Sequence, residues 1–131
     1  MAAHTTDFGE FLQKKRGEKQ ITLREMAELL NISSPFLCDI EKGRRNPPDL
    51  SKLEQISQIL GLSKEEKETM LNLAGKERAS VAPDLTEYIM CRDYVSAAIR
   101  VARDLDAGEE DWQRFAYELN QRKKDNGGAN V

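Results

Sequence analysis

Apolar residues recur along the chain at intervals of three and four, the spacing that places side chains on one face of an α-helix. The first such run contains Phe8, Phe11 and Leu12. Asp7 and Glu10 have the spacing of a capping box, with Asp in place of the usual Ser or Thr. The pattern therefore predicts a first helix that begins at Asp7.

A second helix and a sharp turn follow. Thr22 and Glu25 repeat the capping box ahead of apolar residues that recur as far as Leu30. Asn31 stands where this helix should stop, and Asn adopts the left-handed backbone conformation more readily than any residue except Gly. Ala27 is small enough for another helix to pack closely against this one. We therefore expect a nearly perpendicular helix crossing at Ala27.

A third helix is predicted over residues 33–42, with Ser33 or Ser34 as its N-cap. Leu37 and Ile40 supply its inward face. The side chains expected to point outward are Ser34, Pro35, Phe36 and Asp39. An exposed Phe costs free energy unless something covers it, so the outward face is interpreted as a contact surface. A helix of this size fits the major groove of DNA, where it can reach base edges.

The same spacing continues beyond this helix and predicts an all-α protein. A fourth helix follows Pro47 and Pro48, and a fifth, opened by a capping box of Ser63 and Glu66, reaches Gly75. The predicted organisation is a five-helix domain at 7–75, a linker at 76–84, C-terminal helices at 85–124 and a disordered tail at 125–131.

The predicted C-terminal helices carry a single apolar stripe, formed by Trp112, Phe115 and Leu119. A lone five-helix domain would bury such a stripe poorly. We therefore expect these residues to form a homodimer interface, with contacts from the fifth helix as the alternative.

The formal net charge of the chain is −3, which by itself does not favour binding to nucleic acid. The acidic excess, however, lies entirely in the second half of the chain, and residues 1–61 carry equal numbers of acidic and basic side chains. Any contact with phosphates must therefore come from local basic clusters, at 14–16 and at 44–45.

The sequence has no pattern typical of an enzyme, a metal site or a membrane protein. Cys38 and Cys91 lack the spacing of metal ligands, and we interpret both as ordinary half-buried thiols. No His, Ser or Cys accompanies the acidic pairs in a catalytic arrangement, so neither a catalytic site nor a cofactor is expected. The apolar runs are too short to span a bilayer and the N-terminus does not read as a signal peptide, which predicts a cytoplasmic protein without membrane contact.

The stretch ITLREMAELLNISSPFLCDIEKGRRNPP, residues 21–48, resembles the helix-turn-helix of the Xre family, the small bacterial and phage regulators that include Cro and phage-repressor domains. The similarity covers roughly residues 8–74. It is carried by Ala27, the turn at Asn31, apolar residues at 32, 37 and 40, and the Ile-Glu-x-Gly ending at 40–43. Two positions differ: Asn31 and Gln20 stand where the family often has Gly. The resemblance implies a five-helix lambda-repressor-like DNA-binding domain whose partner is double-stranded DNA.

The resemblance also implies roles for individual residues. The third helix would read base edges through Ser34, Pro35, Phe36 and Asp39. Phosphates on both sides of the groove would be contacted by Thr22, Arg24, Ser33, Arg44, Arg45 and Asn46. Arg16 would pair with Glu41 and fix the loop that follows the third helix. On chemical grounds Phe36 suits a thymine methyl, whereas Asp39 suits cytosine N4 or adenine N6, or orients a neighbouring arginine.

Three functions remain open at this point. The first is a dimeric repressor of transcription, because one recognition helix contacts few base pairs and useful affinity needs two palindromic half-sites, about 34 Å apart. The second is the antitoxin of a toxin pair, whose C-terminal helices would bind a partner protein. The third is a ligand-responsive regulator, for which the C-terminal helices offer little room for a pocket.

Overall fold

The structure, a computed structural model, describes residues 6–129, with side chains described for residues 6–125. Within that range it contains eight α-helices and no strand, so the predicted all-α class is confirmed. The helices are α1 (Asp7–Glu18), α2 (Leu23–Leu30), α3 (Ser34–Glu41), α4 (Leu50–Leu60), α5 (Lys64–Glu77), α6 (Thr86–Met90), α7 (Asp93–Asp104) and α8 (Glu109–Ala129). None of these helices is both long enough and apolar enough to cross a membrane.

The chain divides into two compact units, the first ending at Tyr88 and the second beginning at Ile89. The first unit has one hydrophobic core, to which each of the helices α1 to α5 contributes. Its fully buried large side chains are Phe8, Leu12, Met26, Leu30, Leu37, Ile40, Leu53, Ile56, Leu60 and Met70. These residues are the ones that the helical spacing places inward, which is why five short amphipathic helices close on a shared interior.

Local side chains fix most helix starts in the first unit. Complete capping boxes open α2 at Thr22 and α5 at Ser63, as the sequence predicts. Helix α1 begins at Asp7 as predicted, but the assignment of its N-cap is wrong. The N-cap is Thr6 and not Asp7, and the Thr6 hydroxyl accepts a hydrogen bond from the Gly9 amide at 3.1 Å. Threonine at this position satisfies a first-turn amide, while Asp7 lies inside the turn where its charge complements the helix dipole.

The turn after α2 has the conformation that the sequence predicts. Asn31 lies in the left-handed region with φ of 59° and ψ of 44°. The amide of the next residue, Ile32, then donates to the carbonyl of Ala27 at 3.0 Å, which closes the helix end. The chain consequently changes direction over residues 31–33 before α3 begins at Ser34.

The end of α5 differs from the prediction. The helix passes through Gly75 and ends at Glu77. Gly75 is needed for close packing and not for a turn, because a Cβ there would lie 2.6 Å from the carbonyl oxygen of Val81. Residues 76–84, predicted as a linker, therefore include the last helical residues and a return along α5 that buries Ala82.

Two glycines within helices give a matched test of this packing. We expect Gly75→Ala to lower the free energy of unfolding by about 1–3 kcal/mol, because the backbone at 81–82 must move away. Gly17→Ala should raise it by about 0.4–1 kcal/mol, because the added methyl group meets no neighbouring atom within 4 Å and restricts the unfolded chain. Urea unfolding of both variants measures the two changes. Shifts of the same sign would contradict the assignment of Gly75 as a packing glycine.

An ion pair joins α1 to α5 at the surface of the first unit. Lys15 Nζ lies 2.5 Å from Glu66 Oε2 and 3.4 Å from Glu18 Oε1. The hydrogen bond from Lys15, together with the amide of Ser63, lowers the pKa of Glu66 to about 2. The same contact with Glu66 raises the pKa of Lys15. The contribution of Glu66 to stability is therefore present above its ordinary pKa and is lost as the pH falls towards about 2.

The second unit leaves a large part of its apolar surface uncovered. None of the residues of α7 is buried, and the side chains of α8 as far as residue 125 are exposed. Trp112 and Phe115 meet edge to face on α8, with ring centroids 6.3 Å apart. Helix α8 continues to Ala129 and thus includes part of the range predicted as a tail, 125–131. Residues 130 and 131 lie outside the described range.

Candidate nucleic-acid interface

The inner face of α3 is anchored on α2. Leu37 and Ile40 are buried, and so is Ala27 on the facing helix. The small side chain of Ala27 lets the two helices approach closely, and the left-handed Asn31 sets the angle between them. Helix α3 is therefore held along one side only, which leaves its other side open to solvent.

The outward side of α3 carries the side chains that the sequence placed there. Pro35 and Phe36 are exposed, while Ser34 and Asp39 are half-buried. Ser33, also exposed, is the N-cap, because its hydroxyl accepts a hydrogen bond from the Phe36 amide at 3.2 Å. This settles the choice between Ser33 and Ser34 as the cap, and it leaves the Ser34 hydroxyl unused by capping. Ser33 keeps its hydroxyl proton to donate, since a hydroxyl can accept and donate at once.

The loop after α3 folds back onto this surface. Gly43, with φ of 76°, turns the chain so that the amides of Arg44 and Arg45 donate to the carbonyl oxygen of Asp39 at 2.8 and 3.3 Å. The Asp39 carboxylate in turn accepts from Arg44 Nη1 at 2.9 Å and lies 3.8 Å from Arg45 Nε. Two cations thus share one carboxylate at the edge of the exposed face.

Arg45 also lies over the ring of Phe36. Its guanidinium carbon is 4.7 Å from the ring centroid, the geometry of a cation–π contact. Asn46, the next loop residue, is exposed. A groove of about 610 Å³ opens beside these residues, and Lys52 is among the side chains that line it. Among the described residues of the first unit, this end of the α3 surface therefore borders an open groove.

Two long side chains from elsewhere fix the loop and the end of α2. Arg78 donates to the carbonyl oxygen of Pro47, which is itself buried. Lys52 Nζ donates to the carbonyl oxygen of Leu30 at 2.6 Å, at the C-terminal end of α2 where a cation complements the helix dipole. Neither Lys52 nor Arg78 was predicted from the sequence. Each contact joins residues 22 or more positions apart, and no local sequence pattern predicts such a contact.

Arg16 and Glu41 meet beneath the loop. Arg16 Nε and Nη2 donate to the two carboxylate oxygens of Glu41 at 3.0 and 2.9 Å, and Arg16 Nη1 donates to the carbonyl oxygen of Ile21 at 3.1 Å. The side chains are only 19% and 4% exposed. This pair ties α1 to the end of α3 and thereby sets where the loop begins.

The start of α2 offers a less open site for an anion than the sequence suggested. The Thr22 amide donates to Glu25 Oε1 at 2.9 Å, and the Thr22 hydroxyl accepts from the Glu25 amide at 3.0 Å. The hydrogen bond from the Thr22 amide to the carboxylate is the main cause that lowers the pKa of Glu25, which favours a negative charge at the helix start. Arg24 is exposed and pairs loosely with Glu28, at 3.5 Å. A phosphate here would be met by Arg24 and the Thr22 hydroxyl proton.

The described part of the chain contains no candidate metal site. Among those residues, no three His, Cys, Asp or Glu side chains come close enough together to hold a metal ion. Both cysteines are free thiols, but only Cys38, on α3, is half-buried as expected; the prediction was wrong for Cys91, which is exposed. The candidate site therefore combines hydroxyl, aromatic and cationic side chains with the carboxylate of Asp39.

The fold and this surface define a class of protein. Two short helices crossing at a left-handed turn, with the second helix exposed along its outer side, are a helix-turn-helix within a five-helix domain. The family model described as a helix-turn-helix domain matches residues 9–76 of this chain. The protein belongs to this family, and the resemblance to Xre-type regulators is confirmed.

Curated relatives match the same part of the chain. An uncharacterized HTH-type transcriptional regulator of Mycobacterium tuberculosis strain H37Rv is 33% identical over 57 residues, which are 44% of this chain and 40% of that protein. The immunity repressor protein of Bacillus phage phi105 is 39% identical over 54 residues, 41% of this chain and 37% of the repressor.

A longer match is found in Deinococcus deserti. Its HTH-type transcriptional regulator DdrOP3 is 30% identical over 74 residues, 56% of this chain and 57% of that protein. The chain thus spans about 37–57% of the length of these curated relatives. No solved structure matches the chain significantly.

Proposed function

We propose that this protein is a sequence-specific DNA-binding regulator of transcription, acting as a dimeric repressor on a short palindromic operator. The observation that carries the proposal is the exposed outer side of α3, held by Leu37 and Ile40 and bordered by Arg44 and Arg45. Family membership and the names of the relatives, which include a phage immunity repressor, support a regulator and not an enzyme.

In the proposed complex α3 enters the major groove. Phe36 packs on a thymine methyl group, and Ser34 hydrogen-bonds a base edge. Pro35 lies in the first turn of α3, where its fixed φ suits the helix and its missing N–H costs no helical hydrogen bond. The base-reading surface is thus mainly apolar, and the hydrogen bonds that specify sequence must come from few side chains.

Phosphate contacts set the register of the proposed complex. On one side of the groove these are made by Ser33, Arg44 and Asn46, and on the other by Thr22 and Arg24. All five residues are exposed. The Arg16–Glu41 pair does not contact DNA in this proposal. It fixes the loop from which Arg44 and Asn46 project.

A second copy of the chain completes the proposed regulator. One α3 reads only a few base pairs, so two copies must bind half-sites about one helical turn apart. The stripe of Trp112, Phe115 and Leu119 on α8 is the proposed interface, and its exposure in the single chain supports this. A partner protein on the same stripe, as in an antitoxin, is the other occupant that this exposure allows.

A binding selection on random duplex DNA tests the proposal. The wild-type chain should enrich a short, roughly palindromic sequence. Arg44→Ala should weaken binding to all sequences and reduce the salt slope of the binding constant by about 1, because a phosphate contact carries counterion release and no base preference. Lys64→Ala, which removes an exposed cation from α5, is the matched control and should change neither quantity.

The outcomes separate the parts of the proposal. An unchanged salt slope for Arg44→Ala would remove Arg44 from the interface. If wild-type protein enriches no sequence at all, the chain is not a sequence-specific regulator.

A further inference from the structure

Three residues form a cluster at the edge of the exposed α3 surface: Phe36, Asp39 and Arg45, here called the Arg45 clamp. Arg45 comes from the loop, where resemblance assigned it to a phosphate. In the structure its guanidinium instead lies over the Phe36 ring, 4.7 Å from the centroid, with Nε 3.8 Å from Asp39 Oδ2. The side chain is thus drawn onto the helix that is proposed to read bases.

In the Arg45 clamp, the terminal N–H groups of Arg45 can still donate hydrogen bonds to a ligand. Even in this arrangement the Arg45 side chain is 55% exposed. The Phe36 ring beneath the guanidinium limits where that group can lie, and Asp39 restrains its Nε end. The terminal N–H groups remain to make the two parallel hydrogen bonds by which arginine recognises guanine O6 and N7. A contact with a phosphate would need the charge but not this placement over the helix.

The same geometry changes the role of Asp39. Its carboxylate already accepts from Arg44 at 2.9 Å and faces Arg45, so it is occupied by two cations. An acceptor in that state is poorly placed to receive a hydrogen bond from cytosine or adenine. Asp39 is a positioning residue, which acts on the base through Arg45.

Resting on the proposed function, we propose that Arg45 is the principal specificity-determining residue of the interface and reads one guanine in each half-site. Phe36 contributes twice, by stacking under Arg45 and by contacting the thymine methyl of the neighbouring base pair. The expected core of a half-site is therefore a G·C pair next to a T·A pair.

The test compares the full-length wild type with Arg45→Lys and Arg44→Lys, both of which keep the charge. Each chain is taken through the selection, and then titrated against the enriched operator and a copy with 7-deazaguanine at the predicted guanine, which lacks N7. Arg45→Lys should lose discrimination at that one position by about 5- to 150-fold with an unchanged salt slope, because a lysine keeps the charge but lacks the rigid planar fork that matches guanine O6 and N7. Arg44→Lys should retain the wild-type sequence preference.

The chemical probe distinguishes reading from a structural effect. The 7-deazaguanine operator should weaken wild-type binding about tenfold, the range expected for losing one good base contact, and should weaken binding by Arg45→Lys less, because that variant has already lost the fork that pairs with O6 and N7. Asp39→Asn should lower discrimination at the same guanine and at no other position.

If Arg45→Lys keeps the wild-type preference, or if the two lysine variants lose discrimination equally, Arg45 is a phosphate contact and the inference is wrong while the proposed function stands. If wild-type protein enriches no sequence, the proposed function itself fails, and the inference fails with it.

Discussion

Arg16→Met is expected to lower the free energy of unfolding by about 3–5 kcal/mol, the cost of leaving a buried charge without its partner. Glu41 would keep its carboxylate at 4% exposure and lose both hydrogen bonds from the guanidinium. The carbonyl oxygen of Ile21 would lose a donor as well. For a small domain this is a large part of the total stability, and urea unfolding followed by circular dichroism measures it.

Two further variants show whether the loss comes from the unpaired charge. Arg16→Met combined with Glu41→Leu should recover most of the stability, because apolar residues of similar volume can replace a buried ion pair. Arg24→Met removes the same side chain from a pair that is 84% and 71% exposed, and should change the unfolding free energy by less than about 0.5 kcal/mol. A loss below about 1 kcal/mol for Arg16→Met would show that water reaches Glu41 and that the pair does not hold the loop.

The second large effect is expected in DNA binding. Phe115→Asp should convert the proposed dimer into a monomer, because it places a charge in the apolar stripe of α8 where Phe115 is 54% exposed in the single chain. Affinity for the full palindrome should then fall by about 10²- to 10⁴-fold, since the second half-site no longer benefits from effective concentration. Affinity for an isolated half-site should not change. Analytical ultracentrifugation and fluorescence anisotropy measure the two quantities.

Tyr117→Asp is the matched control for this variant. It introduces the same charge at an exposed aromatic residue of the same helix, two positions away and off the stripe. It should leave the dimer and the palindrome affinity unchanged. A wild-type chain that sediments as a monomer at micromolar concentration would contradict the dimer and would favour a partner protein as the occupant of the stripe.

Features that depend on residues within a few positions of one another were predicted from the sequence. The capping boxes at Thr22 and Ser63, and the left-handed turn at Asn31, are examples. Each rests on a bond between a side chain or amide and a backbone group three to five residues away. The spacing of apolar residues likewise predicted that Leu37 and Ile40 would be buried, because one face of a short helix must be covered.

The clearest errors occur where a residue had two local interpretations. Gly75 was assigned as a helix end, since glycine often ends helices, but its role is to admit the backbone at Val81 and Ala82. Asp7 was assigned as the N-cap of α1, but Thr6 holds that position. The sequence permits both interpretations in each case. The backbone packed at Val81 and Ala82 decides the role of Gly75, and the hydrogen bond from the Gly9 amide identifies Thr6 as the cap.

For the candidate site, the chain order of residues was enough to identify α3, its outward side chains and the cationic loop that follows it. The sequence did not predict where the side chains of those cations would lie. Whether Arg45 reaches a phosphate or lies over Phe36 depends on how Gly43 turns the loop and on Asp39, and local periodicity does not report side-chain direction in a loop. Likewise, Arg16 and Glu41 are 25 positions apart, and only the folded chain brings them within 3.0 Å.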